Sequence, residues 1–267
     1  MPYAKNSQDG IRVYFEDDGG NGAAVVLYGG ILDSVDLVRE SDIARSLKEL
    51  SGEFRLIFAD HRGLGRSDKP HDVKEYSMSL RVADAVAILD ELGIQKAHFI
   101  GTSYGGRLCF GIGENAPERV SSLIIGGQQP YAMNPDGPIA RSVIEGTEAI
   151  KKRGMEAFIE ALEKGGNMRI PEPQRIEYLK NDPAAVAAAS DAMLAEGTIA
   201  KNLKTWAFPC LIFVGAGDAD FYEQAKQAAE EIPNAEFLAL ERVGHLGAHL
   251  QHDIVIPAVL RTLRAAK

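Results

Sequence analysis

Cysteine is nearly absent: Cys109 and Cys210 are the only two in 267 residues. Two thiols so far apart cannot form a disulfide framework, and buried free thiols are the plainer reading. No apolar run approaches the roughly 18 residues of a membrane span. The opening segment Met1 to Gly10 lacks the apolar core of a signal peptide, so a cytoplasmic location is expected. Basic charge is also short. Against 38 Asp and Glu stand 29 Lys and Arg, a formal net charge of −9. Nucleic acid and anionic membrane surfaces need the opposite balance, so neither is an expected partner. The phosphate-cradling pattern G-x-x-x-x-G-K-[ST] is missing, and Gly215-Ala216-Gly217 lacks the third glycine of a dinucleotide fingerprint. No organic cofactor is expected.

What remains has an ordinary globular composition, 45% hydrophobic and 25% charged. Short apolar runs alternate with amphipathic stretches. Strands are expected at Ile11 to Glu16, Ala23 to Tyr28, Phe54 to Asp60, Ala97 to Ile100, Val120 to Ile125, Cys210 to Val214 and Ala235 to Leu240. Helices are expected at Val35 to Leu50, Ser79 to Leu92 (stopped by Gly93), Gly106 to Asn115 and Asp253 to Ala266. Continuous apolar strands alternating with helices give an α/β fold, a mostly parallel twisted sheet with helices on both faces.

Residues 131–205 break the alternation. Four helical stretches, about Ile139–Arg153, Met155–Lys164, Pro173–Asn181 and Ala184–Glu196, are separated by Gly and Pro and contain no strand-like run. The expected division is a core of 1–130 and 206–267 and a helical lid of 131–205. The lid leaves the carboxyl edge of the sheet, where the ligand sites of such folds lie. It holds ten Lys/Arg and eleven Asp/Glu, so nearly all the acidic excess belongs to the core.

The strongest chemical signal is Gly101-Thr102-Ser103-Tyr104-Gly105. A serine on a tight turn from strand to helix needs small neighbours two positions away, so that strand and helix can approach. The turn exposes the hydroxyl at a helix N-terminus, where unpaired N–H groups and the helix dipole favour a developing anion. Because Gly is frequent here, 27 residues, the flanking strand and helix carry the signal more than the pattern does.

A nucleophilic serine needs a base and an acid to orient it. Among six histidines, His245 follows Gly244 in the loop after the last strand, at the same sheet edge as Ser103. His61 is the second choice. His71 reads as exposed and His98 as a core residue. His249 and His252 follow His245 at a spacing that suits zinc on a helix face, but residue 246 is Leu, so the glutamate of H-E-x-x-H is missing and no metal is expected. For the acid, Asp218 follows the strand Cys210 to Val214, with Asp220 in reserve. The strand ending near Ile125 leads to Gly126-Gly127-Gln128-Gln129, which offers no carboxylate.

Over essentially its whole length the chain resembles the α/β-hydrolase fold superfamily. Tyr28-Gly29-Gly30, Asp60-His61-Arg62-Gly63-Leu64-Gly65-Arg66-Ser67, the serine turn and Gly244-His245 carry the resemblance, in the chain order Ser, Asp, His. Within it the chain is similar to the branch with a serine nucleophile and a four-helix cap, which holds 3-oxoadipate enol-lactonases, perhydrolase-type esterases and carbon–carbon bond hydrolases. The resemblance implies an oxyanion hole from the backbone N–H of Gly30 and Tyr104. It also implies that Asp60–Ser67 is a structural loop beside the site. Two positions depart from the family pattern: Tyr28 stands where most members have His, and Tyr104 is bulkier than the usual residue after the nucleophile. The implied function is hydrolysis of a small carboxylic ester or lactone through an acyl-enzyme on Ser103, His245 and Asp218. The alternatives are cleavage of a carbon–carbon bond beside a ketone, perhydrolysis, or a ligand-sensing protein of the same fold.

Overall fold

The computed structural model describes residues 2–50, 52–247 and 251–266. The six apolar runs from Ala23 onward form strands β3 (Ala23–Tyr28), β4 (Phe54–Ala59), β5 (Ala97–Thr102), β6 (Val120–Gly126), β7 (Cys210–Gly215) and β8 (Ala235–Leu240). They pair in parallel, in the order β4-β3-β5-β6-β7-β8. At the β4 edge the sheet gains β2 (Arg12–Asp17) and then β1 (Tyr3–Lys5), both antiparallel to their neighbours. The β1 strand is too short for a sequence signal.

Successive residues of each parallel strand feed opposite faces, as the two-residue period requires. Val26, Ile57, Ile125 and Ile212 join one apolar cluster, and Val25, Phe58, Ile124 and Leu211 the other. The first cluster is covered by α3 (Met78–Glu91), α4 (Tyr104–Asn115) and α9 (Tyr222–Glu231); the second by α1 (Val35–Arg39), α2 (Asp42–Glu49) and α10 (His252–Ala265). Both cysteines are buried and free.

The helices depart from expectation in two places. The stretch Val35 to Leu50 divides into α1 and α2 because Ser41 ends one and begins the next. Its hydroxyl donates to the Val38 carbonyl and accepts from the Ala44 N–H. Helix α9, whose buried face is Ala225, Ala228 and Ala229, is not among the expected helices.

Between β6 and β7 lie α5 (Pro138–Arg153), α6 (Met155–Gly166), α7 (Glu172–Tyr178) and α8 (Pro183–Ala195). Gly154, at φ +72°, makes the reversal between α5 and α6. Val143, Ile150, Phe158, Val186 and Met193 extend the first cluster into these helices. Arg107 of α4 ties down both ends of the insertion. It donates to the carbonyls of Gln129, Tyr131 and Gly197, and pairs with Glu196 at 2.7 Å. Arg81 of α3 shares the same glutamate. Among the described residues no helix is long and apolar enough to cross a membrane.

Candidate active site

Strand β5 is buried to its end and delivers the chain to Ser103, whose φ is +51°. A non-glycine residue there carries strain of about 1–3 kcal/mol, which neighbouring contacts must hold. Ser103 N–H donates to the Gly126 carbonyl of β6, and Gly105 N–H to the Gly29 carbonyl after β3. A β-carbon at Gly101 would collide with the Gly105 carbonyl, and one at Gly105 would press on the Gly29 carbonyl. The small residues flanking the turn are therefore required by close approach. Helix α4 starts at Tyr104, directly after the serine and two residues earlier than expected. The Tyr104 N–H lies in the first turn, where no partner exists within the helix.

The loops after β7 and β8 are joined through backbone. Ala216 N–H donates to Leu240 O and Gly217 N–H to Val243 O. This brings Asp218 and His245 together: His245 Nδ1 lies 2.8 Å from Asp218 Oδ2, and His245 Nε2 lies 3.0 Å from Ser103 Oγ. With Nδ1–H donating to the carboxylate, Nε2 is left as the acceptor for the serine hydroxyl. Asp218 is 3% exposed, and Phe221 packs on the imidazole with ring centres 5.0 Å apart.

The reserve carboxylate does something else. Asp220 Oδ2 accepts from Ile139 N–H at 2.8 Å, at the N-terminus of α5. A β-carbon at Gly137 would collide with its other oxygen, so a glycine belongs there. Burial pushes the Asp220 carboxyl above the usual range, while the helix amides oppose that shift. Asp220 thus joins the core to the insertion and does not reach His245 by a hydrogen bond.

His61 likewise makes no hydrogen bond to Ser103. It is buried between Tyr28 and Tyr104, with ring centres at 4.9 and 4.8 Å, and its Nε2 lies 3.1 Å from the Gly29 carbonyl. Burial, with the Arg81 guanidinium nearby, pushes its pKa down to about 3, so the ring is neutral near pH 7. As the Nε2–H tautomer it donates to Gly29 O, the carbonyl that also receives Gly105 N–H. The substitution at Tyr28 becomes intelligible here, because its ring packs on His61. His98 is buried against Ser122, and His71 is exposed beside Asp182. His252 is half-exposed beside Asp42, and His249 lies outside the described residues.

The Asp60–Ser67 segment works through the backbone. Asp60 accepts from Val35 N–H at the start of α1 and from Arg66 N–H within its own loop. Burial raises its pKa to about 6. Arg62 is buried against Asp84, with two hydrogen bonds of 2.6 Å.

One side chain at the site was not foreseen. Gly30 N–H donates to Asp33 Oδ2 at 2.6 Å, and the other oxygen of Asp33 accepts from the hydroxyl of Tyr178 in α7 at 2.9 Å. Gln174 donates to the same hydroxyl. Gly30 lies close to Ser103, since a β-carbon added there would sit 3.8 Å from Ser103 Cβ. An Asp three residues after a Gly-Gly strand end is a turn former, able to bond a nearby backbone N–H. That is the sequence signal that could have found it. Tyr178, 145 positions away, left no such signal.

Comparison with known proteins agrees with this architecture. The family model described as the alpha/beta hydrolase fold matches residues 23–251. A Bacillus subtilis protein, provisionally named 2-succinyl-6-hydroxy-2,4-cyclohexadiene-1-carboxylate synthase, is 26% identical over 251 residues, 89% of each chain. The crystal structure of the enol-lactonase from Burkholderia xenovorans superposes with a TM-score of 0.80 at 21% identity, covering 98% of this chain and 100% of that one. A thermophilic esterase from Thermogutta terrifontis gives 0.77 at 24% identity, covering 99% and 98%. The chain belongs to the α/β-hydrolase fold family.

Proposed function

We propose that the protein is a serine hydrolase of small carboxylic esters or lactones. The observation that carries this reading is the unbroken relay from Ser103 Oγ through His245 to Asp218, at 3.0 and 2.8 Å. Ser103 Oγ attacks the carbonyl carbon as its proton passes to His245 Nε2. Asp218 keeps the ring in the required tautomer and stabilises the imidazolium. The tetrahedral oxyanion takes the N–H of Tyr104 and of Gly30, the latter after release from Asp33. Each such donor contributes on the order of 10²–10³ in kcat. His245 then protonates the leaving alkoxide. Water, deprotonated by His245, cleaves the acyl-enzyme and restores Ser103.

Residues 131–205 serve as the lid over a core of 1–130 and 206–267. Several contacts of the insertion with loops of the site support this. Tyr178 meets Asp33, Asn181 donates to the Leu32 carbonyl, and Gly166 packs against Leu246, next to His245. The enol-lactonase and esterase among the similar structures agree with the reaction type. Short-chain 4-nitrophenyl esters test the reading. The wild type should release nitrophenol with a burst from acyl-enzyme formation, and Ser103→Ala should lose turnover. Undiminished hydrolysis by Ser103→Ala would remove Ser103 from the chemistry. A vinylogous diketone, cleaved faster than any ester, would move the reaction to carbon–carbon bonds.

A further inference from the structure

The Asp33 carboxylate sits on the very N–H that the proposed mechanism gives to the oxyanion. Its partners are the Gly30 amide and the Tyr178 hydroxyl, both neutral, and no cation pairs with it among the described residues. The other carboxylates near the serine are also committed, Asp218 to His245 and Asp220 to the N-terminus of α5. The buried cations close to the turn are committed as well. Arg81 stacks on the Tyr104 ring at 3.8 Å, donates to the Tyr104 carbonyl and shares Glu196 with Arg107. The Asp33 carboxylate beside Gly30 is therefore left without a counter-ion among the described residues.

From this we infer that Asp33 is a specificity residue, which directs the site to neutral or cationic acyl groups and turns away acyl groups that carry a carboxylate. The inference rests on the serine-hydrolase reading above and names the substrate class for that site. When a substrate carbonyl oxygen takes the Gly30 N–H, Asp33 gives up that bond but keeps the one from Tyr178. An unneutralised acceptor then remains beside the acyl chain. It accepts a hydrogen bond from a hydroxyl or attracts an ammonium, and it repels a second carboxylate in a partly desolvated space.

Three 4-nitrophenyl esters of equal acyl length test this: the butyrate (neutral), the monosuccinate (anionic) and the 4-(trimethylammonio)butyrate (cationic). The wild type should favour the butyrate over the monosuccinate at least tenfold in kcat/KM, with the cationic ester equal to or better than the butyrate. Raising the salt concentration should compress the ranking. Asp33→Asn keeps an oxygen acceptor for Gly30 N–H and turns its NH2 toward the Tyr178 hydroxyl oxygen, which can accept it, so the turn is preserved. It should narrow the butyrate-to-monosuccinate ratio to threefold or less. Asp33→Glu, which retains the charge, should keep the wild-type order. A monosuccinate turned over as well as the butyrate by the wild type overturns the inference, as does a ratio unchanged in Asp33→Asn. If none of the three esters is hydrolysed, the serine-hydrolase reading fails first and takes this inference with it. Brisk hydrolysis without ranking defeats the inference alone.

Discussion

On one side of Ser103 the contacts are those the proposed chemistry needs, and on the other they are not. Toward His245, two loops stitched by backbone bonds hold imidazole and carboxylate at 3.0 and 2.8 Å from their partners, with no hydrogen bond from the helical insertion to either side chain. Toward Gly30, the amide is engaged by Asp33, and Asp33 is engaged in turn by Tyr178 of the insertion. The His245 side is set mainly by the loops at the sheet edge. The Gly30 side, the proposed oxyanion hole, is coupled to the helices over it, so changes in the insertion should reach the reaction through Gly30 and leave the relay intact.

The largest effect should come from breaking the relay. Ser103→Ala should lower ester turnover by on the order of 10⁴-fold or more, measured at saturating substrate. Asp218→Asn, which leaves His245 in the wrong tautomer, should cost on the order of 10³–10⁴ in kcat. Asp220→Asn removes a helix anchor instead and should cost less than about tenfold. The opposite ranking of the two carboxylates would exchange their roles. Replacing Arg107 by Met should leave the relay's geometry but strip Glu196 of its closer partner, leaving only Arg81, and orphan the three carbonyls at the ends of the insertion. A destabilisation of about 3 kcal/mol is expected, seen by calorimetry as a melting point lower by about 6–12 °C. A neutral outcome would mean that the insertion is held by its apolar contacts alone.

The pH dependence of stability turns on the histidine beneath Gly29. The His61 pKa falls from 6.5 to about 3 on folding. Between those values the unfolded chain binds a proton that the folded chain refuses, so stability rises with pH across this window. Acidification from pH 6.5 toward 4 should therefore cost up to about 1.4 kcal/mol per unit from this group. Asp60 acts in the opposite direction, because its raised pKa makes the folded state the better proton binder between 3.8 and about 6. The difference between wild type and His61→Gln isolates the histidine: urea denaturation at several pH values should show a flatter acid limb in the variant. Equal slopes would mean that His61 is not held neutral.

The sheet was legible because its parallel strands are buried on both faces and spell themselves out as apolar runs. The serine turn was legible for a related reason: close approach of strand and helix dictates glycine at 101 and 105, and that demand is written in the sequence. Asp218 and His245, which the fold brings to 2.8 Å, both follow strand ends on one edge. Other features depend on contacts between distant segments. Nothing local to Asp220 announces the amide of Ile139, 81 positions earlier. Nothing local to His61 announces that Tyr28 and Tyr104 would enclose it.

The central claim is that Ser103 is the nucleophile, activated through His245. Its most direct test is labelling with a fluorophosphonate, followed by intact mass and peptide mapping. A single adduct on Ser103, absent from Ser103→Ala and strongly slowed in a His245→Ala variant, is the predicted result. An adduct on another residue with Ser103 unmodified, or equal labelling of the Ser103→Ala protein, would contradict it.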